Sequence, residues 1–213
     1  MKSVLISINP KWCELIANGK KTIEVRKTRP KIETPFKCYI YETKEKAYED
    51  IGICGRTKDG TRYNFVHRIG KVIGEFVCDK IEDFYCASVP YQKENNLGYG
   101  RFIDNGVYKV NGWNEGIVFE RNDMYIDTML NNNDLKEMCL SVQELFDYIG
   151  IGKYLYAWHI SDLKIYDVPK ELSEFWTVKC TNKRNSCIGC EVKPNCIKTI
   201  TRQTQSWCYA EEL

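Results

Sequence analysis

The sequence predicts an α+β protein built on a small β-barrel or a strongly curved sheet. Three observations favour this class: several short β-branched or aromatic runs, two or three short helical patterns, and no regular alternation of strand and helix. The 213 residues, 43% of them hydrophobic and 28% charged, suffice for one domain of ordinary core size, or for a domain with a small appendage.

Composition excludes several classes of protein. No stretch approaches the roughly eighteen consecutive apolar residues of a membrane span, and Met1–Ile8 is too short and too strand-like for a signal peptide. We therefore expect a cytoplasmic protein with no membrane partner. The formal net charge is +2, so affinity for nucleic acid must come from local patches of charge. Without an export signal, the eleven cysteines are expected to be thiols or metal ligands.

The chain begins with a strand and a short helix. Val4–Ile8 is apolar and β-branched, as in a buried strand. Asn9 can cap a helix over Pro10–Asn18, because its side chain can accept a backbone hydrogen bond and proline is tolerated at the first helical position. Gly19 is expected to end this helix, since glycine readily adopts the left-handed conformation of a C-cap.

The next strand, which ends at Arg26, has two different faces. Ile23 and Val25 share one face and are expected to point into the core. The other face carries a hydroxyl, a carboxylate and a guanidinium, those of Thr22, Glu24 and Arg26. We expect this strand to form the floor of any active or binding groove.

The same part of the chain is basic. Six cationic residues accompany Glu24 alone: Lys20, Lys21, Arg26, Lys27, Arg29 and Lys31. From spacing alone the alternative is a solvent-exposed strand with an ordinary ion pair, worth a few tenths of a kcal/mol.

The middle of the chain is less regular. Phe36–Tyr41 and Lys71–Cys78 are predicted strands, and residues 42–50 are a charged segment that we expect to be exposed. Residues 52–64 are rich in glycine and charge and predict a loop. The segment at about 85–133 is interpreted as an insertion of loops and short strands.

Order returns with a helix and two strands. Ser141 and Glu144 have capping-box spacing and predict a helix that runs to about Ile149. Tyr154–Ile160 and Leu163–Pro169 are predicted strands. In the first of these, aromatic residues alternate with apolar ones, which implies burial on both faces. Its histidine, His159, is interpreted as a hydrogen-bonded core residue, with a groove residue as the alternative.

Four cysteines lie close together near the C-terminal end. Cys180, Cys187, Cys190 and Cys196 are separated by six, two and five residues, and four thiols within seventeen residues can surround one tetrahedral ion or a cubic cluster. The alternative is a set of incidental reduced cysteines in a mobile tail. The spacing resembles the [4Fe–4S] loop of endonuclease-III-type glycosylases, while only the central pair has the form of a zinc knuckle, so zinc and [4Fe–4S] both remain open.

The residues also resemble a known family. Ser7–Trp12, the segment Gly19–Arg26 and Gly74–Phe76 resemble the ASCH domains, which belong to the PUA-like β-barrel superfamily. Tyr154–Pro169 and Gln205–Tyr209 resemble the closing strands of larger, phage-associated versions, which would suit a prophage or other mobile element. The core pattern Gly-x-Lys-x-x-Glu-x-Arg is matched by Gly19, Lys21, Glu24 and Arg26.

The resemblance implies a PUA-like barrel domain over residues 1–170, followed by a Cys-rich metal-binding extension over 171–213 that returns to the barrel. It also implies a groove for RNA or a modified nucleoside. The predicted ligand-binding residues are Lys20, Lys21, Thr22, Arg26 and Lys27.

Two other functions remain open from the sequence. The first is a hydrolase acting on an N-acyl cytidine type of nucleoside or on RNA, in which Lys21 and Glu24 would be catalytic. Some family members resemble amidohydrolases that use a lysine, a threonine and a glutamate, but here Glu24 occupies the position of that threonine. A carboxylate does not replace a hydroxyl nucleophile. The second is a protein-interaction adaptor with a structural metal.

Overall fold

The computed structural model describes residues 3–45, 52–56, 62–90, 101–104, 107–110, 113–121, 124–127, 130, 132–150, 153–178 and 196–212. The chain forms two compact units. The first comprises Met1–Lys20, Pro30–Asp79 and Ile160–Leu213, and the second comprises Lys21–Arg29 and Lys80–His159.

The described part of the chain has three α-helices and a short 3-10 helix: α1 (Pro10–Ala17), α2 (Asn132–Met138), α3 (Val142–Ile149) and the 3-10 turn Leu172–Glu174. The prediction of α1 is confirmed, because the Asn9 side chain accepts the Lys11 backbone N–H at 3.1 Å and Gly19 has a φ of +70°. The prediction of α3 is also confirmed by its capping box. The sequence pattern did not predict α2.

The strands are β1 (Ser3–Ile8), β2 (Ile23–Arg26), β3 (Phe36–Glu42), β4 (Gly52–Arg56), β5 (Arg62–Val66), β6 (Val72–Pro90), β7 (Arg101–Asp104), β8 (Val107–Val110), β9 (Trp113–Arg121), β10 (Met124–Asp127), β11 (Lys153–Lys170), β12 (Phe175–Val178), β13 (Ile197–Thr199) and β14 (Trp207–Glu212). Both β6 and β11 contribute residues to each unit.

In the first unit the strand order is β13-β12-β14-β1-β3-β6, and β11 pairs with β6. The central strand β1 runs parallel to β3 and antiparallel to β14, and all six of its residues are buried. The core of the first unit therefore contains residues from the first third and the last part of the chain. Its buried residues are Leu5, Tyr39, Tyr41, Val72, Leu172, Phe175, Ile200 and Ala210.

The prediction of a closed barrel is wrong for the described residues. In the first unit the order of paired strands begins at β13, ends at β11 and does not return to its start. Closure requires hydrogen bonds along both edges of the sheet and a matched stagger of its strands. The edge strand β13 has only three residues, all of them exposed, and pairs with β12. An edge strand of only three residues is suited to end a sheet.

Two local predictions in the first unit are also wrong. Residues 52–64 contain β4 and the first part of β5, and these two strands pair antiparallel. Strand formation depends on the pairing partner as well as on residue preference. Glu42, expected to be exposed, is fully buried at the end of β3. Its carboxylate contacts Nδ1 of His67 and accepts the Arg68 backbone N–H at 2.6 Å. Burial raises the pKa of Glu42, and these contacts oppose that rise.

In the second unit, β2 pairs antiparallel with the start of β11, and the end of β6 pairs with β10 in a run that continues through β9, β8 and β7. The predicted inward face of β2 is confirmed. Ile23 and Val25 join a core that is completed by Leu130, Met138, Leu145, Ile149, Leu155 and Ala157.

Within the described residues, no helix has the length and apolar character needed to cross a membrane.

Candidate functional site

The candidate site lies on the polar face of β2. In the register with β11, Glu24 lies opposite Trp158 and Arg26 lies opposite Tyr156. Directly opposed residues project from the same face of a sheet. Glu24 and Arg26 therefore share a face with these two aromatic residues, while Ile23 and Val25 face the core, as the alternation in the sequence predicts.

Three charged side chains meet on this face. An oxygen of Glu24, Oε1, lies 3.0 Å from a terminal nitrogen of Arg26, and the other oxygen, Oε2, lies 3.5 Å from Nζ of Lys21. The Lys21 ammonium also donates a hydrogen bond to the Met138 carbonyl oxygen at 2.6 Å. We call Lys21, Glu24 and Arg26 the buried triad. The structure thus brings together the three charged residues of the sequence motif.

The triad is almost completely removed from solvent. The side chains of Lys21, Glu24 and Arg26 are 2%, 7% and 8% exposed. The interpretation as an exposed strand with an ordinary ion pair is therefore wrong. Burial lowers the pKa of Lys21, and the Glu24 carboxylate opposes that shift. An ion pair in such a place interacts far more strongly than one on the surface, but desolvation costs free energy as well.

Tyr148 from α3 completes the site and was not identified from the sequence. Its hydroxyl oxygen accepts hydrogen bonds from the Arg26 side chain and from the Lys27 backbone N–H. Burial raises the pKa of Tyr148, and Arg26 opposes the rise. The Lys27 ammonium lies 4.7 Å from the centre of the tyrosine ring. In the sequence, Tyr148 is marked only by its place next to the apolar stripe of α3. Its contact with Arg26 could not be predicted, because the two residues are far apart in the chain.

The other predicted ligand-binding residues occupy different environments. Thr22 is half-buried, and its backbone N–H donates to the Glu137 carbonyl oxygen at 3.0 Å. Lys27 is exposed immediately after β2. Lys20 is also exposed but belongs to the first unit.

His159 lies on the opposite face of β11 from the triad, since it pairs with Ile23. Its Nε2 is 2.7 Å from an oxygen of Glu82, which also pairs with Lys80. The prediction that His159 is hydrogen-bonded is confirmed, although the residue is only half-buried.

The cysteine cluster lies mostly outside the described residues. Cys180, Cys187 and Cys190 fall in the segment 179–195, while Cys196 is half-buried next to β13. In the portion of the chain that is described, no three histidine, cysteine or acidic side chains converge in a way that could hold a metal ion.

Chemically, the triad offers a planar guanidinium fork, an amine with a lowered pKa and a carboxylate that orients both. A guanidinium fork matches a phosphate or carboxylate group with two parallel hydrogen bonds. An amine whose pKa is lowered can accept a proton nearer to neutral pH than an ordinary lysine.

Comparison with known proteins finds one family model and several solved structures. The model described as "ASCH domain" matches residues 6–105. The crystal structure of ASCH from Zymomonas mobilis has 18% sequence identity, covers 80% of this chain and 74% of that chain, and superposes with a TM-score of 0.42. One single-residue mutant of the same protein has 16% identity and covers 81% of this chain and 77% of that chain, with a TM-score of 0.42. A second single-residue mutant has 17% identity and covers 80% of this chain and 75% of that chain, with the same TM-score. No curated protein matches the sequence.

Proposed function

Residues 6–105 belong to the ASCH domain family, and on that premise we propose that the chain binds RNA or a nucleotide through the polar face of β2. Arg26 would hold a phosphate or a base edge. Glu24 would fix the orientation of the guanidinium, and Lys21 would add a second positive charge.

The observation that supports this proposal is the arrangement of charged groups in the buried triad. The Arg26 guanidinium and the Lys21 amine both lie within 3.5 Å of one carboxylate, and all three side chains are less than a tenth exposed. A guanidinium that is held in place by a carboxylate can bind a phosphate through two parallel hydrogen bonds. A bound phosphate would also favour the protonated form of Lys21, whose pKa burial lowers.

The test is calorimetric titration with the four ribonucleoside 5′-monophosphates and with a short single-stranded RNA, at two salt concentrations. We expect binding that weakens as salt rises, because contacts with phosphate release counterions. Arg26→Lys keeps the charge but removes the fork, and should weaken binding about tenfold, as expected for a lost charge-assisted hydrogen bond.

The matched control is Arg68→Lys, the same substitution at an exposed arginine of the first unit. It should leave the affinity unchanged. If the folded protein binds neither nucleotides nor RNA at low salt, or if Arg26→Lys binds as tightly as the original chain, the proposal is wrong.

Hydrolysis of an N-acyl cytidine type of nucleoside or of RNA is the second candidate function. The specific observation that favours it is the lowered pKa of Lys21, with its ammonium beside the Glu24 carboxylate. In this case Lys21 would accept or donate protons, and Glu24 would act as a base toward water. Turnover of N4-acetylcytidine that is abolished in Lys21→Met would support it. The absence of turnover in the folded protein would leave binding as the function.

We also propose that Cys180, Cys187, Cys190 and Cys196 hold zinc or a [4Fe–4S] cluster. The proposal is supported by four thiols in a short segment with few apolar residues. Anaerobically purified protein should be brown if the cluster is present, and colourless with about one zinc per chain if zinc is bound. A protein that contains neither metal would contradict both versions.

A further inference from the structure

A row of aromatic side chains runs along β11 beside the buried triad. Trp158 lies opposite Glu24 and Tyr156 lies opposite Arg26, so these rings flank the polar face of β2. Tyr154 projects from the same face, because side chains two residues apart in a strand share a face. The rings of Tyr154 and Tyr156 stack with their centres 6.5 Å apart and their planes inclined by 27°.

Exposure rises steadily along this row. Trp158 is fully buried, Tyr156 is half-buried, and Tyr154 is 51% exposed. The prediction that both faces of this strand are buried is therefore wrong at its outer end. Of the three rings, that of Tyr154 is the most exposed to solvent.

The open end of the row is also positively charged. Because β2 and β11 are antiparallel, the residues that follow Arg26 leave β2 beside the start of β11. Lys27 and Arg29 follow Arg26, Lys153 begins β11, and all three are exposed. Three exposed basic residues thus follow or begin the two strands at this end.

We propose that Tyr154 and Tyr156 form a stacking track for single-stranded nucleic acid. One nucleotide occupies the Arg26 site, the base next to it stacks on Tyr154, and Lys27, Arg29 and Lys153 contact the phosphates. The inference rests on the proposed function and makes it more specific, because it makes an oligonucleotide the preferred ligand over a free nucleotide.

The chemistry of the track selects a single strand. A base can lie flat on a tyrosine ring only when that face is not stacked within a duplex. Stacking tolerates any base, because every base has a π-face, so the track gives affinity without sequence preference. Three phosphate contacts along the track predict that the slope of the logarithm of affinity against the logarithm of salt concentration is steeper by about 2 for the oligonucleotide than for a nucleotide held at Arg26 alone.

The experiment measures the affinities of uridine 5′-monophosphate, a five-nucleotide oligouridine, its deoxy counterpart and a short RNA duplex. We expect the pentamer to bind at least tenfold more tightly than the mononucleotide, and the duplex to bind more weakly than the pentamer. Tyr154→Ala should weaken pentamer binding by about tenfold and leave mononucleotide binding unchanged. Tyr154→Phe keeps the ring and should retain the affinity. Comparison of the ribo and deoxy pentamers identifies which nucleic acid is preferred.

The outcomes separate this inference from the proposed function. If mononucleotides bind through Arg26 but the pentamer gains nothing, or if Tyr154→Ala binds the pentamer normally, the track is wrong and the nucleotide site stands. A loss of mononucleotide binding in Tyr154→Ala would also overturn the track, because Tyr154 would then belong to the nucleotide site. If no nucleotide or oligonucleotide binds to the folded protein, both ideas fail.

Discussion

Glu24 occupies an unusual electrostatic position among the described residues. Its two carboxylate oxygens are divided between Lys21 and Arg26, and all three side chains are buried. Burying each charge costs solvation free energy, which the mutual attraction offsets only while the group is complete. The triad is therefore sensitive to the loss of any single member.

Replacing Glu24 alone should destabilise the fold strongly. Glu24→Ala removes the carboxylate that both buried basic side chains contact, and we expect the free energy of unfolding to fall by about 3–5 kcal/mol. Urea denaturation measures this change. The control is a triple variant, Lys21→Met, Glu24→Leu and Arg26→Met, which removes all three charges and should cost much less. A small change in the free energy of unfolding of Glu24→Ala would show that Lys21 and Arg26 can be buried together without this carboxylate.

Lys21 should make stability depend on pH in the alkaline range. Its pKa is lowered in the folded state from an ordinary 10.5, mainly by burial. Between the folded and unfolded pKa values the unfolded chain binds more protons, so the Lys21 contribution to stability increases as pH rises toward 10.5. Urea titrations from pH 7 to 10.5 should show that the stability of the original chain, relative to Lys21→Met, increases over this range. A constant difference would contradict the lowered pKa.

At the scale of single elements, short-range signals decide helix ends. The Ser141 hydroxyl accepts the Glu144 backbone N–H at 3.2 Å, and the Glu144 carboxylate accepts the Ser141 backbone N–H at 3.0 Å. Both residues are exposed, so the capping contacts are separable from core packing. They position α3, whose Tyr148 completes the site.

Removing this cap should have a modest and local cost. Ser141→Ala loses the acceptor for the Glu144 N–H, and we expect a loss of about 1 kcal/mol in the free energy of unfolding. Ser141→Asp keeps an acceptor at the same place and should remain close to the original stability. Thermal and urea unfolding of the two variants provide the comparison, and equal stabilities would argue against a role for the cap.

Gly74 in β6 is required by a close approach of two backbones. A Cβ atom at this position would lie 2.5 Å from the Lys164 carbonyl oxygen and 3.1 Å from the Ile165 Cα atom, both in β11. We expect Gly74→Ala to cost about 1–3 kcal/mol in stability, because backbone must move to relieve the clash. A variant with unchanged denaturation midpoint would show that β11 can shift without cost.

At the scale of the whole molecule, the last part of the chain belongs to the first core. β14 pairs with β1, and Phe175 packs against Tyr39 with ring centres 4.8 Å apart. The C-terminal residues Leu172, Phe175, Ile200 and Ala210 supply half of that buried cluster.

Truncation after Lys170 should therefore destroy the first unit. It exposes one edge of β1 and removes these four core side chains, so we expect calorimetry to show no cooperative unfolding. The control is the full chain with Cys180, Cys187 and Cys190 changed to serine, which removes the proposed metal ligands but keeps β12 to β14. Cooperative unfolding of the truncated chain would show that residues 1–170 fold alone.

Local signals explain which parts could be predicted from sequence. Asn9, Gly19 and the Ser141–Glu144 pair act within one or two turns of helix, and the alternation of Ile23 and Val25 with polar neighbours depends only on the period of a strand. The pairing of β4 with β5 was not predicted, because the glycine and charged residues of this segment are typical of a loop. The burial of Glu42 was missed because His67 lies 25 residues away.

The sequence by itself determined the family motif, the end of α1, the cap of α3 and the identity of the three charged residues on β2. Only the tertiary structure decided that these charges are buried, that Tyr148 joins them, and that Tyr154 remains exposed beside them. The physical reason is that a strand fixes which side chains share a face, whereas the elements packed on that face decide how much water reaches it. Those elements come from distant parts of the chain, so the exposure of each side chain on β2 and β11 depends on the tertiary structure.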